Sequence, residues 1–301
     1  MNVLCSDKTG TLTEGRVEIH SAMDIDGHEN QKILLYASIN ACFETGYTNP
    51  IDKVIRAQKG FDLSEYHKLD EVPYDFIRKR LSILAEKDSS RLMITKGALH
   101  NVLDACSFVE TAEGGTVDIA AAREKINRQF REFSTGGFRT LGVAYRDVGS
   151  ESTITRDHES GMTFLGFLVL YDPPKAGVAE TISRLKELGV AMKVITGDNR
   201  LVAASVAKQV GLSDKRILTG PDLHRMGDEA LLRQVEDVDV FAEVEPNHKE
   251  LIIISLKKSG NVVGFLGDGI NDAAALHAAD VGISVDSAVD GSSNRWFRPL
   301  W

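Results

Sequence analysis

Asp7-Lys8-Thr9-Gly10-Thr11 follows the short apolar piece Asn2-Val3-Leu4-Cys5. An apolar run that opens directly into a loop of Asp, Thr and Gly looks like a strand feeding a phosphate loop. Asp7 stands at the strand end, and a carboxylate there is the right group to attack a phosphoryl centre. The attack would form an acyl-phosphate and split one hard transfer into two easier ones. A carboxylate approaching a triphosphate is repelled by it, so the site must also supply Mg²⁺ and a cationic side chain.

Two loops of the same character lie far downstream, each after an apolar run. Residues 192–195 lead into Thr196-Gly197-Asp198, and residues 262–266 lead into Gly267-Asp268-Gly269-Ile270-Asn271-Asp272. Around them, Val178, Ile182, Leu185 and Leu188 form a helical stripe ended by Gly189. Val202, Val206 and Val210 form another, stopped by Gly211; residues 238–241 read as a strand and 251–258 as a helix. Strands alternating with helices imply a parallel sheet covered on both faces, with ligands at the carboxyl ends of its strands. The three loops converge only if the first strand joins the sheet built from Asp172 onward. The expected organisation is therefore a discontinuous catalytic domain, 1–17 and 172–301, with a second domain, 18–171, inserted.

In that arrangement Asp268 is the natural second metal ligand, since hard cations take carboxylate and carbonyl oxygens. Lys249, close after Pro246, is the phosphate-neutralising cation. Thr196 and the Gly197 amide suit phosphate oxygens, and Asn271 orients an oxygen without adding negative charge.

The insert has a different texture. Residues 32–40 and 50–58 are helix-like, and 73–86, 91–96, 139–145 and 164–170 are strand-like. Ile119, Ala122, Ile126, Phe130 and Phe133 recur at helical spacing, closed by Gly136-Gly137. Strands that neighbour each other without an intervening helix predict an α+β domain with an antiparallel sheet.

Hydrophobic residues make up 43% and charged residues 26% of the 301 positions, a soluble globular composition. The net charge of −9 disfavours nucleic acid as a partner, although a few lysines and backbone amides suffice for one nucleotide. Cys5, Cys42 and Cys106 are too scattered for a metal and read as reduced thiols. His67, His100 and His248 show no metal spacing either. No signal peptide is visible and no apolar run approaches the roughly 20 residues of a membrane span, so this chain is not expected to move an ion by itself.

Asp7-Lys8-Thr9-Gly10-Thr11, Asp172-Pro173-Pro174, Thr196-Gly197-Asp198 and Gly267-Asp268-Gly269-Ile270-Asn271-Asp272 stand in the order of the motifs of P-type cation-transporting ATPases, members of the haloacid dehalogenase superfamily. The resemblance runs from Asn2 to about Asp290. It implies a haloacid-dehalogenase-like Rossmannoid sheet carrying an inserted nucleotide-binding domain, with Asp7 phosphorylated by ATP. Mg²⁺ would be held by Asp7, the Thr9 carbonyl and Asp268. Thr9, Thr196, Lys249 and Asn271 would contact the phosphoryl group, with Gly197 and Asp198 in the same loop and Asp272 supporting the site.

In the insert the resemblance implies that Tyr74 stacks on adenine and that Lys79 and Lys96 are pocket lysines. Gly97 would let backbone approach the ring, Arg139 would lie near the phosphates, and Asp52 near the adenine amine. Residues 39–46 with Asn49 and Asp52, Tyr74 to Arg80, and residues 282–286 resemble the magnesium-transporting type IIIB branch. The implied setting is the cytoplasmic face of a membrane, with this chain monomeric and the transported cation handled elsewhere in a longer pump.

Soluble phosphatases of the superfamily carry a second aspartate two residues after the nucleophile; here Thr9 stands there, so a phosphorylated Asp7 lacks a local base to activate water. No Thr-Gly-Glu occurs in the chain, so the actuator that supplies this base in pumps is not expected in it. A soluble phosphatase with a large cap, and a nucleotide-binding piece without catalysis, remain the alternatives. Three departures from the family pattern are Ala274 in place of a proline, Glu245-Pro246 in place of Thr-Pro, and the unmatched residues 291–301.

Overall fold

The computed structural model describes residues 1–46, 49–267 and 272–284. These fall into two compact units. One comprises Met1–Arg16, Thr135–Gly137 and the described residues from Asp172 onward; the other comprises Val17–Ser134 and Phe138–Tyr171.

The first unit is built on a parallel sheet of six strands. Val3–Asp7 lies inside it, between Ala191–Ile195 and Val263–Gly267, with Val240–Ala242 and Ile217–Thr219 beyond the former and Val281–Ser284 beyond the latter. Alternation along the first strand explains why it is central. Val3 and Cys5 pack into one apolar cluster with Phe241, Ile252 and Phe265, while Leu4 packs into another with Ile182, Met192 and Val206. A strand buried on both faces reads as a continuous apolar run, which is what precedes Asp7. The stripes on Val178–Glu187 and Arg200–Gln209 supply the second cluster, and Pro246–Lys258 supplies the first. The early chain is tied to the later one by backbone: Glu14 N–H donates to Pro173 O at 2.9 Å and Lys175 N–H to Leu12 O at 2.9 Å.

The second unit holds an eight-stranded sheet. One face packs Ile83, Ile94 and Leu168 against Ile33 and Ile39 of the helix Gln31–Phe43. The other packs Leu84, Met93 and Phe167 against the helix Ile119–Thr135 through Ala122, Ile126, Phe130 and Phe133, the stripe expected from the sequence.

Two expectations need correction. The sheet is mixed rather than antiparallel, because Cys106–Glu110 runs parallel to Met162–Tyr171. The helix Leu99–Leu103 reorients the chain after Ser90–Ala98 and delivers Cys106 beside Met162. Residues 73–86 are also not one strand. The strands are His67–Val72 and Arg80–Lys87, and residues 73–79 loop out between them. Pro73 has no N–H for a ladder. Asp75 Oδ1 accepts the amides of Ile77 and Arg78 at 3.0 and 2.6 Å, and Lys79 takes φ +48°. These local bonds close a turn in place of an extended run.

Candidate active site

Asp7 sits at the C-terminal end of its strand, paired in register with Ile195 of the neighbouring strand. The next residues turn sharply: Thr9 is extended, Gly10 takes φ +74°, and Thr13 N–H returns to Lys8 O at 3.1 Å. Gly10 is the residue that adopts this left-handed conformation without a Cβ penalty.

Lys249 reaches the Asp7 carboxylate from the first turn of the helix Pro246–Lys258. Its Nζ lies 2.8 Å from Asp7 Oδ1 and 2.5 Å from Asp272 Oδ1. Burial by itself would push this ammonium down. The charges of Asp7 and Asp272 overcome that and hold it above its ordinary value. Two carboxylates converge on one cation in a buried place. All the acceptors are oxygens, and a hard divalent cation fits such a set. Thr11 Oγ1 is also buried in this loop without a hydrogen-bond partner among the described residues.

Thr196 is buried just past the strand Ala191–Ile195. Its Oγ1 accepts the Asp198 amide at 3.1 Å. Gly197 shares that loop, and the Asp198 carboxylate faces Lys8, with Oδ2 2.6 Å from Lys8 Nζ. Asp198 is therefore the counter-ion of Lys8. Of the other residues singled out in the sequence, Asp268 and Asn271 lie outside the described residues, as do residues 285–301. Thr9 lies directly after the Asp7–Lys8 pair.

In the second unit, Asp52 and Lys96 form a buried ion pair, and Asn49 Nδ2 donates to the other Asp52 oxygen. Glu44 lies against Asp52. Burial and then the Asp52 charge push its carboxyl up to about 7, against the lowering pull of Lys96 and Arg56. Tyr74 is 51% exposed and packs edge-on against Phe76, which is 86% exposed. Its hydroxyl is pushed up by burial, and the Arg139 charge opposes the shift, so Arg139 acts electrostatically on Tyr74. Lys79 is exposed at its left-handed backbone position. Gly97 lies against the chain's own backbone. A Cβ there would lie 2.4 Å from Lys79 O and 2.6 Å from Arg80 Cα, so the close approach it permits is of the chain's own backbone.

His224, Glu245 and His248 bring possible ligand atoms within 4.8 Å of one another. His248 Nδ1, however, accepts the Glu245 amide at 3.1 Å. That lone pair closes the first turn of the helix carrying Lys249, so the group reads as a helix cap.

Residues 38–177 match the family described as P-type ATPase, cytoplasmic domain N. Over 300 residues, 96% of this chain, the sequence is 38% identical to the Magnesium-transporting ATPase, P-type 1, of Escherichia coli K12, and 37% to that of Salmonella typhimurium LT2. The chain belongs to the P-type ATPase family. It is also 30% identical over 312 residues to the Calcium-transporting ATPase 1 of Bacillus cereus, covering 95% of this chain. The chain spans about a third of the length of these relatives: 33% of the magnesium-transporting ATPases and 35% of the calcium-transporting one. The domain N match contains Asp52, Tyr74, Lys79, Lys96, Gly97 and Arg139. No described helix is long and apolar enough to cross a membrane.

Sequence reasoning missed several members of both clusters in this P-type ATPase chain. Lys8 was noted only as part of a motif, yet it is buried and lies 2.6 Å from Asp198 and 3.9 Å from Asp172. Asp172 accepts Thr13 Oγ1 at 2.6 Å and the Gly15 amide at 3.1 Å, so the Asp-Pro-Pro motif locks the loop after Asp7. A cation adjoining Asp7, with two further motif aspartates downstream, was the available signal. Glu44 had none beyond its place in a family-like stretch.

Proposed function

We propose that this chain is the catalytic part of a P-type cation pump that binds Mg-ATP and accepts the γ-phosphoryl group on Asp7. The observation that carries the reading is the Asp7 carboxylate at the end of a central parallel strand with the Lys249 ammonium 2.8 Å away. In the proposed step an Asp7 carboxylate oxygen forms a bond to the γ-phosphorus. The bond from that phosphorus to the bridging oxygen breaks, and ADP leaves with the electron pair. Lys249 offsets the repulsion between Asp7 and the incoming phosphates, and Asp272 holds Lys249 in place. Thr196 and the Gly197 amide offer hydrogen bonds to the phosphoryl oxygens, and Asn271 adds another. Mg²⁺, held by Asp7, the Thr9 carbonyl and Asp268, would neutralise phosphate charge.

On this reading residues 1–17 and 172–301 are a haloacid-dehalogenase-like phosphorylation domain and residues 18–171 a nucleotide-binding domain. Tyr74 would stack on adenine, Lys79 and Arg139 would meet the phosphates, and the Asp52–Lys96 pair would line the base pocket. The names of the relatives favour Mg²⁺ as the ion transported by the complete pump, at the cytoplasmic face of a membrane. Thr9 at the acid–base position disfavours a phosphatase. Incubation with γ-labelled ATP and Mg²⁺ should give an acid-stable, hydroxylamine-labile label that Asp7→Asn abolishes. Equal labelling of that variant and the parent would sink the proposal, and ADP binding without any label would leave a binding module only.

A further inference from the structure

Arg78-Lys79-Arg80 sets three cations in a row beside the exposed ring of Tyr74, and the three are used differently. Glu159 follows the short turn Arg156–His158, and its side chain is fully buried. One carboxylate oxygen accepts from Arg78 Nη1 and, at 2.8 Å, from Arg80 Nε. The other accepts from Ser82 Oγ at 2.7 Å, and Ser82 shares a 2.7 Å hydrogen bond with Thr95. Arg80 also donates to Asn101 O. Arg78 pairs with Asp75 and donates to Pro73 O at 2.7 Å, which ties both ends of the loop to the same guanidinium.

Two arginines are thus turned inward onto one carboxylate, and Lys79 between them is left outside. The reversal needs the left-handed backbone at Lys79, and it needs Gly97. The Lys79 carbonyl accepts the Ala98 amide at 2.9 Å directly over the place where a Gly97 side chain would be. Buried charges of this kind hold a geometry because breaking one partner leaves the others unpaired.

We propose that Glu159 is a positioning residue for the nucleotide pocket: through Arg78 and Arg80 it holds residues 73–80 so that Tyr74 and Lys79 face the nucleotide. This rests on the nucleotide-binding reading given above. Arg78 and Arg80 contribute no charge to the phosphates; Lys79 is the member of the basic run that does.

The full chain, as parent, Tyr74→Ala, Glu159→Gln, Arg78→Gln and the Glu159→Gln/Arg78→Gln double variant, is titrated with ADP by calorimetry. Both single network variants should bind ADP roughly tenfold more weakly, as when the partners that orient a binding group are removed. The double variant should be no weaker than the weaker single one. Amide hydrogen exchange should accelerate in residues 75–79 while the strands Ser90–Ala98 and Arg139–Asp147 keep their protection; a general loss of packing would expose the strands as well. If Glu159→Gln does not fold, Arg78→Gln decides, since its side chain is partly exposed where that of Glu159 is fully buried, and parental affinity there overturns the proposal. ADP binding that Tyr74→Ala weakens and the network variants leave intact overturns this proposal alone. No ADP binding by the parent overturns the nucleotide-binding reading and this proposal with it.

Discussion

The charges around Lys249 and those around Glu159 are both largely buried, yet they are composed differently. At Lys249 one ammonium meets two carboxylates, Asp7 and Asp272. At Glu159 the guanidiniums of Arg78 and Arg80 meet Glu159, Arg78 also meets Asp75, Arg156 lies 3.7 Å from Asp75, and backbone carbonyls take further donors. The second set is satisfied from within and rigidifies its loop. The first gathers two carboxylates around one ammonium at the mouth of a parallel sheet, where ligands of such sheets bind.

The largest expected effect comes from breaking the Lys249 set. Lys249→Met leaves two carboxylates facing each other and should cost about 3–5 kcal/mol in chemical denaturation of the first unit. Mg²⁺ should restore part of that loss by taking the ammonium's place, and the gain should exceed the one seen in Glu159→Gln, whose Asp7 site is intact. No Mg²⁺ response in either variant would erase the distinction. The folded-state value of Lys249 is raised above 10.5, so its stabilisation is intact at neutral pH and is lost only as pH rises past that value.

Next in size is Tyr74→Ala, which removes a stacking surface and should weaken ADP binding by about 1–3 kcal/mol in calorimetry. Its effect on stability should be slight, because the ring is half exposed.

A third cluster of charges is tested by pH. Glu44 is raised from 4.5 to about 7 by burial and by Asp52, so the folded state holds its proton longer than the unfolded state. Stability should fall as pH rises from about 4.5 to 7, and Glu44→Gln should remove that fall; an unchanged profile would contradict it.

The smallest effect is expected at His248. Burial, then the charge of His224, lowers its value below 6.5, with Glu245 opposing. The unfolded chain therefore takes up this proton first, and stability should drop as pH falls below 6.5; His248→Gln should flatten that acid limb.

Much of the first unit was legible because each strand and helix there carries its own period. Val3, Leu4 and Cys5 are apolar on consecutive positions because both faces are covered, and the stripe Val202–Val206 returns every four residues because one face is. The loop at 73–79 was misread as strand because it is rich in β-favouring apolar residues, Tyr74, Phe76 and Ile77, although all three are exposed. The pairings were not legible. Arg78 and Glu159 stand 81 positions apart, and Lys249 and Asp7 stand 242 apart.

The sequence by itself determined the nucleophile candidate, the strands that end in Asp- and Gly-rich loops, and the family, because these depend on residue identity and short-range period. Only the tertiary structure decided which charge answers which. Lys8 and Lys249 are both lysines near Asp7, but one is held by Asp198 and the other reaches Asp7 itself. Electrostatic partnership depends on distance and burial, and the folded chain sets both.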